Sequence, residues 1–347
     1  MPSFADVGSY LDANRLEEEL SEAVAELVEE ERPQPLAALA ERLLELAAAT
    51  SLDWDYVQLT ASVRALIDES QCGPELVHLS FADAAIFSAA LHPNGQPNAA
   101  LRFADGGEGT FAHNATLATK VAPLLEPIKQ CYPHISRADL WAHAANVAIE
   151  AMGGPAIHTR FGRRDAASSA EGVQSAKGRL PEHLSRGEGD ERTKADHLRA
   201  IFHPKGFSDR DIVVLCGRHT VGRFEAEGGH RSAWTERPDV FDNGYFVALL
   251  NQKYEPAACG SAGLLLRCAE TGTIMLPTDV ALLRDARFRV HVEKFATDAP
   301  AFFEAFSHAW ARLQELGCHG LRLQPHPSSL TYVPAPSTPP HRRVACT

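Results

Sequence analysis

Apolar residues recur at helical spacing over most of the chain. In LEEELSEAVAELVEEE the apolar positions from Leu16 to Val28 fall on one face of a helix, and Pro33 ends it. LAALAERLLELAAA has the same pattern. Together they predict an acidic helical N-terminal extension over residues 1–52, docked on the body of the protein. Binding of a protein partner is the alternative role for these helices.

Helical patterns continue through a body that we place at residues 53–320. Ser136 and Ser208 are predicted N-caps, because a serine precedes each apolar helical segment. Convincing strands are few, so the fold class is mainly α. Residues 321–347 are rich in proline and predicted to be a disordered tail. The helical segments of the body are DWDYVQLTASVRALIDES, ELVHLSFADAAIF, LATKVAPLLEPIKQC, SRADLWAHAANVAIEAM, SDRDIVVLCGRH, DVALLRDARFRVHVEKFA and APAFFEAFSHAWARLQEL.

Composition excludes several classes of protein. The net charge of −12 argues against a nucleic acid or an anionic membrane surface as partner. No run of eighteen apolar residues is present, and the N-terminus is acidic without an apolar signal core, so we expect a soluble, cytoplasmic protein. The seven cysteines are scattered and form no C-x-x-C motif, which argues against a disulfide framework and covalently attached c-type haem.

The most informative motif is DIVVLCGRHTVGR. An apolar helix runs into Gly217, and His219 follows at its end. An imidazole at a buried helix terminus is a candidate metal ligand. A core or capping histidine is the alternative for His219 considered alone.

Several further motifs, in order, resemble one family. YVQLTASVRALIDESQCGPELVHL, ISRADLWAHAANVAIEAMGGP, FSDRDIVVLCGRHTVGR and AWTERPDVFDNGYFVALLN are similar to motifs of class I haem peroxidases, the ascorbate peroxidase and cytochrome c peroxidase group. IMLPTD completes the set. The resemblance implies a mainly α fold whose distal half (about 53–155) and proximal half (about 156–320) sandwich a non-covalent haem b.

The resemblance also implies roles for proximal residues. His219 matches the axial iron ligand, and Asp279 matches the carboxylate that accepts its other ring N–H, which makes the imidazole a stronger donor. Trp234 matches a tryptophan that holds a radical in some relatives; a large core residue is the alternative. Arg223 and Phe81, together with His219, are the expected haem contacts.

A cation site near Trp234 is the next feature of the family. Thr220, Thr235 and Asp242 match its ligands, but Arg237 stands where cation-binding relatives have asparagine. A guanidinium at that position can replace the cation and pair with Asp242. The sequence therefore does not predict a bound potassium or calcium ion.

The distal helix departs most from the family. Its usual Arg-Leu-Ala-Trp-His reads His78-Leu79-Ser80-Phe81-Ala82 here, so all three working residues are replaced. His78 lies one turn before Ala82 and has three open roles: a substitute base, a sixth iron ligand, or a partner of a haem propionate or backbone carbonyl. The distal asparagine position holds Ala115, with Asn114 one residue away.

These replacements predict a pseudoperoxidase. Ala82 cannot move the proton of a bound peroxide, and loss of general acid–base help reduces rates about 100- to 10,000-fold. An oxidoreductase acting on a small-molecule oxidant such as peroxynitrite is the expected function, with poor ascorbate or cytochrome c peroxidase activity. The alternatives are a non-catalytic haem-dependent sensor and a haem-free partner-binding relic. The sequence leaves the electron donor open.

Overall fold

The computed structural model describes residues 16–29, 35–40, 42, 56–89, 95–111, 114–181, 191–225, 231–258 and 264–323. The fold is mainly helical, as predicted. The predicted tail beyond residue 323 lies outside the described residues. The α-helices with defined bounds are α1 Leu16–Glu29, α2 Tyr56–Ser70, α3 Gly73–Ala84, α4 Glu126–Cys131, α5 Arg137–Ala151, α6 Glu191–Phe202, α7 Asp209–Cys216, α8 Gly244–Asn251, α9 Pro277–Arg284, α10 Ala286–Thr297 and α11 Ala299–Gln314.

Short antiparallel strands accompany the helices in the described part of the chain. β1 pairs with β7, β2 with β3, and β5 lies between β4 and β6. Arg223 faces Ala233 in the β2–β3 pair, which follows the turn that holds His219. The strands are β1 Arg160–Phe161, β2 Arg223–Glu225, β3 Arg231–Ala233, β4 Glu255–Ala258, β5 Leu264–Arg267, β6 Ile274–Met275 and β7 Arg322–Leu323.

Local capping explains where two helices of the body begin. The Ser136 hydroxyl accepts a hydrogen bond from the Asp139 N–H at the start of α5. Ser208 and Asp211 form a reciprocal capping box at the start of α7. Both predicted N-caps are therefore confirmed.

The prediction of a single helix over DVALLRDARFRVHVEKFA is wrong, because the helix is interrupted at Asp285, between α9 and α10. The Asp285 carboxylate accepts hydrogen bonds from the N–H groups of Arg287 and Phe288, so it starts a new helix. The Arg199 guanidinium of α6 donates two further bonds to it. The segment predicted as LATKVAPLLEPIKQC is likewise divided, into a π-helical turn (Leu117–Val121), a 3₁₀ turn (Ala122–Leu125) and α4.

Helix α11 connects the distal and proximal elements. It packs against both α3 and α7. At its end, the Gln314 amide donates to the Ser80 hydroxyl of α3 and to the Ala142 carbonyl of α5. The Gln314 carbonyl accepts two bonds from Arg163, which forms a buried ion pair with Asp139 at 2.8 Å. These buried bonds hold α3 in position relative to the helices on the other side of the site.

The N-terminal helix α1 presents apolar side chains to solvent. Leu20, Val24 and Val28 are 43%, 46% and 72% exposed, so much of the predicted apolar stripe is uncovered. Over the described residues, no helix is both long enough and apolar enough to cross a membrane.

Candidate functional site

The end of α7 positions His219. The helix stops at Cys216, and a 3₁₀ turn over Gly217–Thr220 carries the imidazole into the interior. Gly217 packs so tightly that a Cβ there would lie 2.6 Å from the Phe302 ring and 2.8 Å from the Phe246 ring. The close approach requires glycine at this position, and it fixes where the next residues point.

Asp279 lies opposite His219, in the first turn of α9. The Nδ1–H of His219 donates to Oδ1 of Asp279 at 3.1 Å. The Leu276 N–H donates to Oδ2 at 2.8 Å, which orients the carboxylate from its own helix. The carboxylate fixes the imidazole tautomer, so Nε2 is left as the nitrogen that can bind a metal.

Two aromatic residues complete the surroundings of Asp279. The Trp234 indole N–H donates to Oδ2 at 3.1 Å, and the Tyr245 hydroxyl donates to Oδ1 at 2.8 Å. The rings of His219 and Trp234 are stacked, whereas Tyr245 meets the imidazole edge-on. Tyr245 is not among the residues predicted from the sequence, where its signal is an aromatic residue with a polar tip in the apolar run that begins α8.

The charge state of this cluster follows from burial and hydrogen bonding. Burial lowers the pKa of His219 more than Asp279 raises it, so the imidazole is neutral near pH 7. Burial alone would raise the pKa of Asp279, but His219 and the bonds from Leu276 and Tyr245 bring that pKa below its ordinary value. A neutral imidazole beside an ionised carboxylate is the donor set that a metal ligand needs.

The expected cation-site residues come together, and a guanidinium joins them. The Thr220 hydroxyl donates to Oδ1 of Asp242 at 3.0 Å, and the Thr235 hydroxyl donates to the Thr220 carbonyl at 2.8 Å. Arg237 forms an ion pair with Oδ2 of Asp242. A positive charge is thus already present at the carboxylate where a cation would bind.

Arg223, an expected cofactor contact, forms an ion pair with Asp239 at 3.0 Å and is partly exposed. Its neighbour in the motif, Arg218, was missed, although the sequence places it directly before His219. Its guanidinium carbon lies 3.8 Å from the ring centroid of Phe81 on α3. Burial lowers the pKa of Arg218 to about 10, so the side chain still carries its charge at neutral pH.

The last turn of helix α3 carries Ala82, at the position where the family resemblance expects a distal histidine. Ala82 is buried, and Phe81 before it is 7% exposed. His78 is exposed on the same helix. Asp83 is buried, and its Oδ1 accepts a hydrogen bond from the Ala99 N–H at 2.9 Å. The pKa of Asp83 lies well above its ordinary value, mainly because the carboxyl is buried and also because the negative charge of Glu108 is nearby.

Asn114 remains inside the distal half despite its offset in the sequence. The π-helical turn Leu117–Val121 accommodates one additional residue after it. The Asn114 amide donates to the Glu108 carbonyl at 3.0 Å. Among the described residues, Oδ1 of Asn114 and Oε2 of Glu108 are buried without a hydrogen-bond partner. Burial raises the pKa of the Glu108 carboxyl to about 7.

Comparisons with known proteins agree with this geometry. A family model described as peroxidase matches residues 59–298. The chain is 37% identical over 278 residues to "Probable L-ascorbate peroxidase 3, peroxisomal" of Oryza sativa subsp. japonica, covering 78% of this chain and 84% of that protein. It is 36% identical over 252 residues to the mitochondrial cytochrome c peroxidase of Emericella nidulans, covering 72% and 66%.

A third relative, from Mycosarcoma maydis, carries the name "Putative heme-binding peroxidase". It is 36% identical over 278 residues, which cover 76% of this chain and 80% of the relative. The match spans both α3 and the His219–Asp279 pair, so it includes the complete site described above. The chain therefore belongs to the peroxidase family, in the class I group that contains ascorbate and cytochrome c peroxidases.

Proposed function

We propose that this protein is a haem-binding pseudoperoxidase: it holds a non-covalent haem b on His219 and turns over hydrogen peroxide poorly. One observation carries the proposal. The turn that presents His219, bonded to Asp279 and stacked on Trp234, faces a helix α3 in which Ala82 stands at the catalytic position. The proximal half is complete, and the distal half has no acid or base at that position.

The donor chemistry of the site fits a haem iron. His219 is buried and neutral, its Nδ1–H is committed to Asp279, and its Nε2 is the nitrogen left for the metal. Relatives that carry the name "Putative heme-binding peroxidase" support the same cofactor. The residue that stands against the fit is Arg218, whose guanidinium lies over Phe81.

A bound haem supplies a ferric iron that reacts with peroxides. The protein must then move a proton from the inner to the outer peroxide oxygen, and a methyl group at Ala82 cannot do so. Asp83, the next residue, is no substitute, since its carboxyl is held by the Ala99 N–H and its raised pKa favours the protonated form. We therefore expect a loss of about 100- to 10,000-fold in peroxide turnover.

Peroxynitrite is the oxidant that we propose as substrate. Its O–O bond is weak and its leaving group is good, so it does not need a distal base. Its isomerisation to nitrate balances in atoms and electrons without a reductant. This isomerisation therefore needs no electron donor, and the sequence identifies none.

Stopped-flow spectroscopy of the haem-loaded protein tests the proposal. We expect accelerated peroxynitrite decay, absent in His219→Ala mixed with the same amount of free haem, and slow hydrogen-peroxide turnover with ascorbate or cytochrome c. Peroxide turnover at the rate of a conventional peroxidase would refute the pseudoperoxidase assignment. Peroxynitrite decay equal to that of the His219→Ala mixture would refute the proposed substrate.

A haem-free, partner-binding protein is the second candidate. The stacking of Arg218 on Phe81 favours it, because that contact places a protein side chain between the two halves. The exposed apolar residues Leu20, Val24 and Val28 of α1 supply a surface for a partner. Absence of a Soret band under saturating haem, in protein shown to be folded by circular dichroism, would select this candidate.

We also propose a cytoplasmic location, with association with an organelle as the alternative. Relatives carry peroxisomal or mitochondrial in their names. Fractionation of cells that express the tagged full-length chain tests the location, and recovery with an organelle would overturn it.

A further inference from the structure

Arg218 has an unusual place in the fold. It follows Gly217 and precedes His219, both buried, yet Arg218 itself remains partly accessible, as does Cys216 two residues earlier. The Arg218 side chain extends from the proximal turn to the ring of Phe81 on α3.

The distance to Phe81 locates the guanidinium. A flat macrocycle makes van der Waals contact at about 3.5 Å on each face, so groups on its opposite faces lie about 7 Å apart. Phe81 belongs to the distal helix and Arg218 to the proximal turn, but the guanidinium carbon is only 3.8 Å from the Phe81 ring centroid. The guanidinium therefore lies in the layer that a macrocycle bound on His219 would fill.

Arg218 is held there by contacts other than hydrogen bonds. Among the described residues, the guanidinium forms no hydrogen bond or ion pair; it stacks on the face of the Phe81 ring, and the nearby charge of Asp279 favours its cationic form. Other arginines that bridge elements have stronger bonds: Arg163 pairs with buried Asp139, and Arg199 pairs with Asp285. A planar cation stacked on one ring imitates a planar ligand, but it can leave without breaking hydrogen bonds.

We propose that Arg218 is a built-in occupant of the haem slot: its guanidinium stacks on Phe81 in the haem-free protein and must leave before a planar macrocycle can bind. The inference rests on the proposed function, since it concerns entry of the same haem. It makes Arg218 a determinant of haem affinity and of the rate of haem uptake. It also explains how the His219–Asp279 pair can be suited to haem while the Arg218 side chain lies where the haem would bind.

Titration of the full-length haem-free protein with hemin tests the inference, followed by the Soret band and by quenching of tryptophan fluorescence. Arg218→Ala is expected to bind hemin at least about tenfold more tightly than the unmodified protein, because one desolvated cation–π contact no longer competes. Arg289→Ala, which removes an exposed arginine paired with Glu293, is the matched control and should not change the affinity.

Uptake kinetics and a second ligand distinguish the effect of Arg218 on entry into the haem slot from coordination of the iron by His219. In the unmodified protein the uptake rate should reach a plateau as hemin increases, because departure of Arg218 becomes limiting. In Arg218→Ala it should continue to rise. Iron-free protoporphyrin IX should show the same preference for Arg218→Ala, since it needs the slot but not His219. Arg218→Met, which keeps bulk without charge, serves if the alanine variant does not fold, and should also bind hemin more tightly than the unmodified protein.

The outcomes distinguish this inference from the proposed function. Equal hemin affinity and equal kinetics in the unmodified protein and Arg218→Ala would overturn the inference and leave haem binding intact. Binding by Arg218→Ala alone would support the inference but overturn haem binding as the function of the unmodified chain. Binding by none of the folded variants would overturn both.

Discussion

The rings of His219 and Trp234 lie parallel, with centroids 4.4 Å apart and 8° between their planes, and their N–H groups donate to different oxygens of Asp279. One buried carboxylate thus orients both rings. Tyr245 donates to the oxygen that His219 uses, so the carboxylate is held from three sides as well as by the Leu276 N–H.

Asp279→Asn should weaken haem binding about 10- to 100-fold. The amide keeps the size of the carboxyl group but not its charge, and partners of this kind set the orientation and basicity of a ligating imidazole. Hemin titration measures the affinity, and the Soret and visible bands report the ligand field. Glu293→Gln, which changes an exposed carboxylate paired with Arg289, is the control. Unchanged affinity and spectrum in Asp279→Asn would contradict the positioning role.

His78→Arg combined with Ala82→His should restore hydrogen-peroxide turnover by about 100-fold or more. The new imidazole supplies the missing base, and the arginine stabilises the separating charge. Buried Oδ1 of Asn114, without a partner among the described residues, is the expected acceptor for the new imidazole. Initial rates of peroxide consumption by the haem-loaded variant provide the measurement. The same double change in a His219→Ala background should remain inactive, and if the double variant is no faster than the parent, the proximal half is not competent.

The free energy of unfolding should fall as pH rises through neutrality, with Glu108 as a main cause. Burial raises the pKa of its carboxyl from 4.5 to about 7 in the folded protein. Between these values the folded protein holds a proton that the unfolded chain has released, so raising the pH favours unfolding. The full cost above pH 7 is about 3 kcal/mol. Asp83 has a raised pKa and contributes with the same sign.

Glu108→Gln isolates that contribution. The glutamine oxygen can still accept from the Val173 N–H, as Oε1 of Glu108 does at 2.8 Å. Relative to the unmodified protein, the variant should gain stability between about pH 5.5 and about pH 8, measured by urea unfolding of the haem-free protein. Glu293→Gln, an exposed change, should follow the unmodified protein at both values. Parallel pH dependences in Glu108→Gln and the unmodified protein would rule out Glu108 as the source.

Arg237→Asn should create a potassium response. In the unmodified protein the Arg237 guanidinium already pairs with the Asp242 carboxylate, so added potassium finds no unpaired negative charge there. With asparagine, Thr220, Thr235 and Asp242 offer oxygen ligands, and a cation that binds only the folded state stabilises it by mass action. We expect the melting temperature to rise by about 2 °C or more in potassium chloride relative to choline chloride of equal ionic strength. Equal melting temperatures in the two salts would exclude a site formed by these ligands.

Local sequence was enough to predict the start of α5 and α7. Ser136 and Ser208 cap their helices through bonds to residues three positions away, and such bonds form whatever the remainder of the chain does. The break at Asp285 was missed because Arg199 helps to hold that carboxylate from a distant helix. The role of Tyr245 was likewise not predictable, because its contact with Asp279 depends on how α8 packs beside α9.

By itself, the sequence determined the helical class, the family, the candidate ligand His219 and the absence of a base at Ala82. These are properties of residue identity and local spacing. Only the tertiary structure decided that Arg218 lies over Phe81 and that Asp279 is shared by His219, Trp234 and Tyr245. Those contacts join residues far apart in the chain, and their geometry is set by the buried packing of α3, α7 and α11 rather than by any short motif.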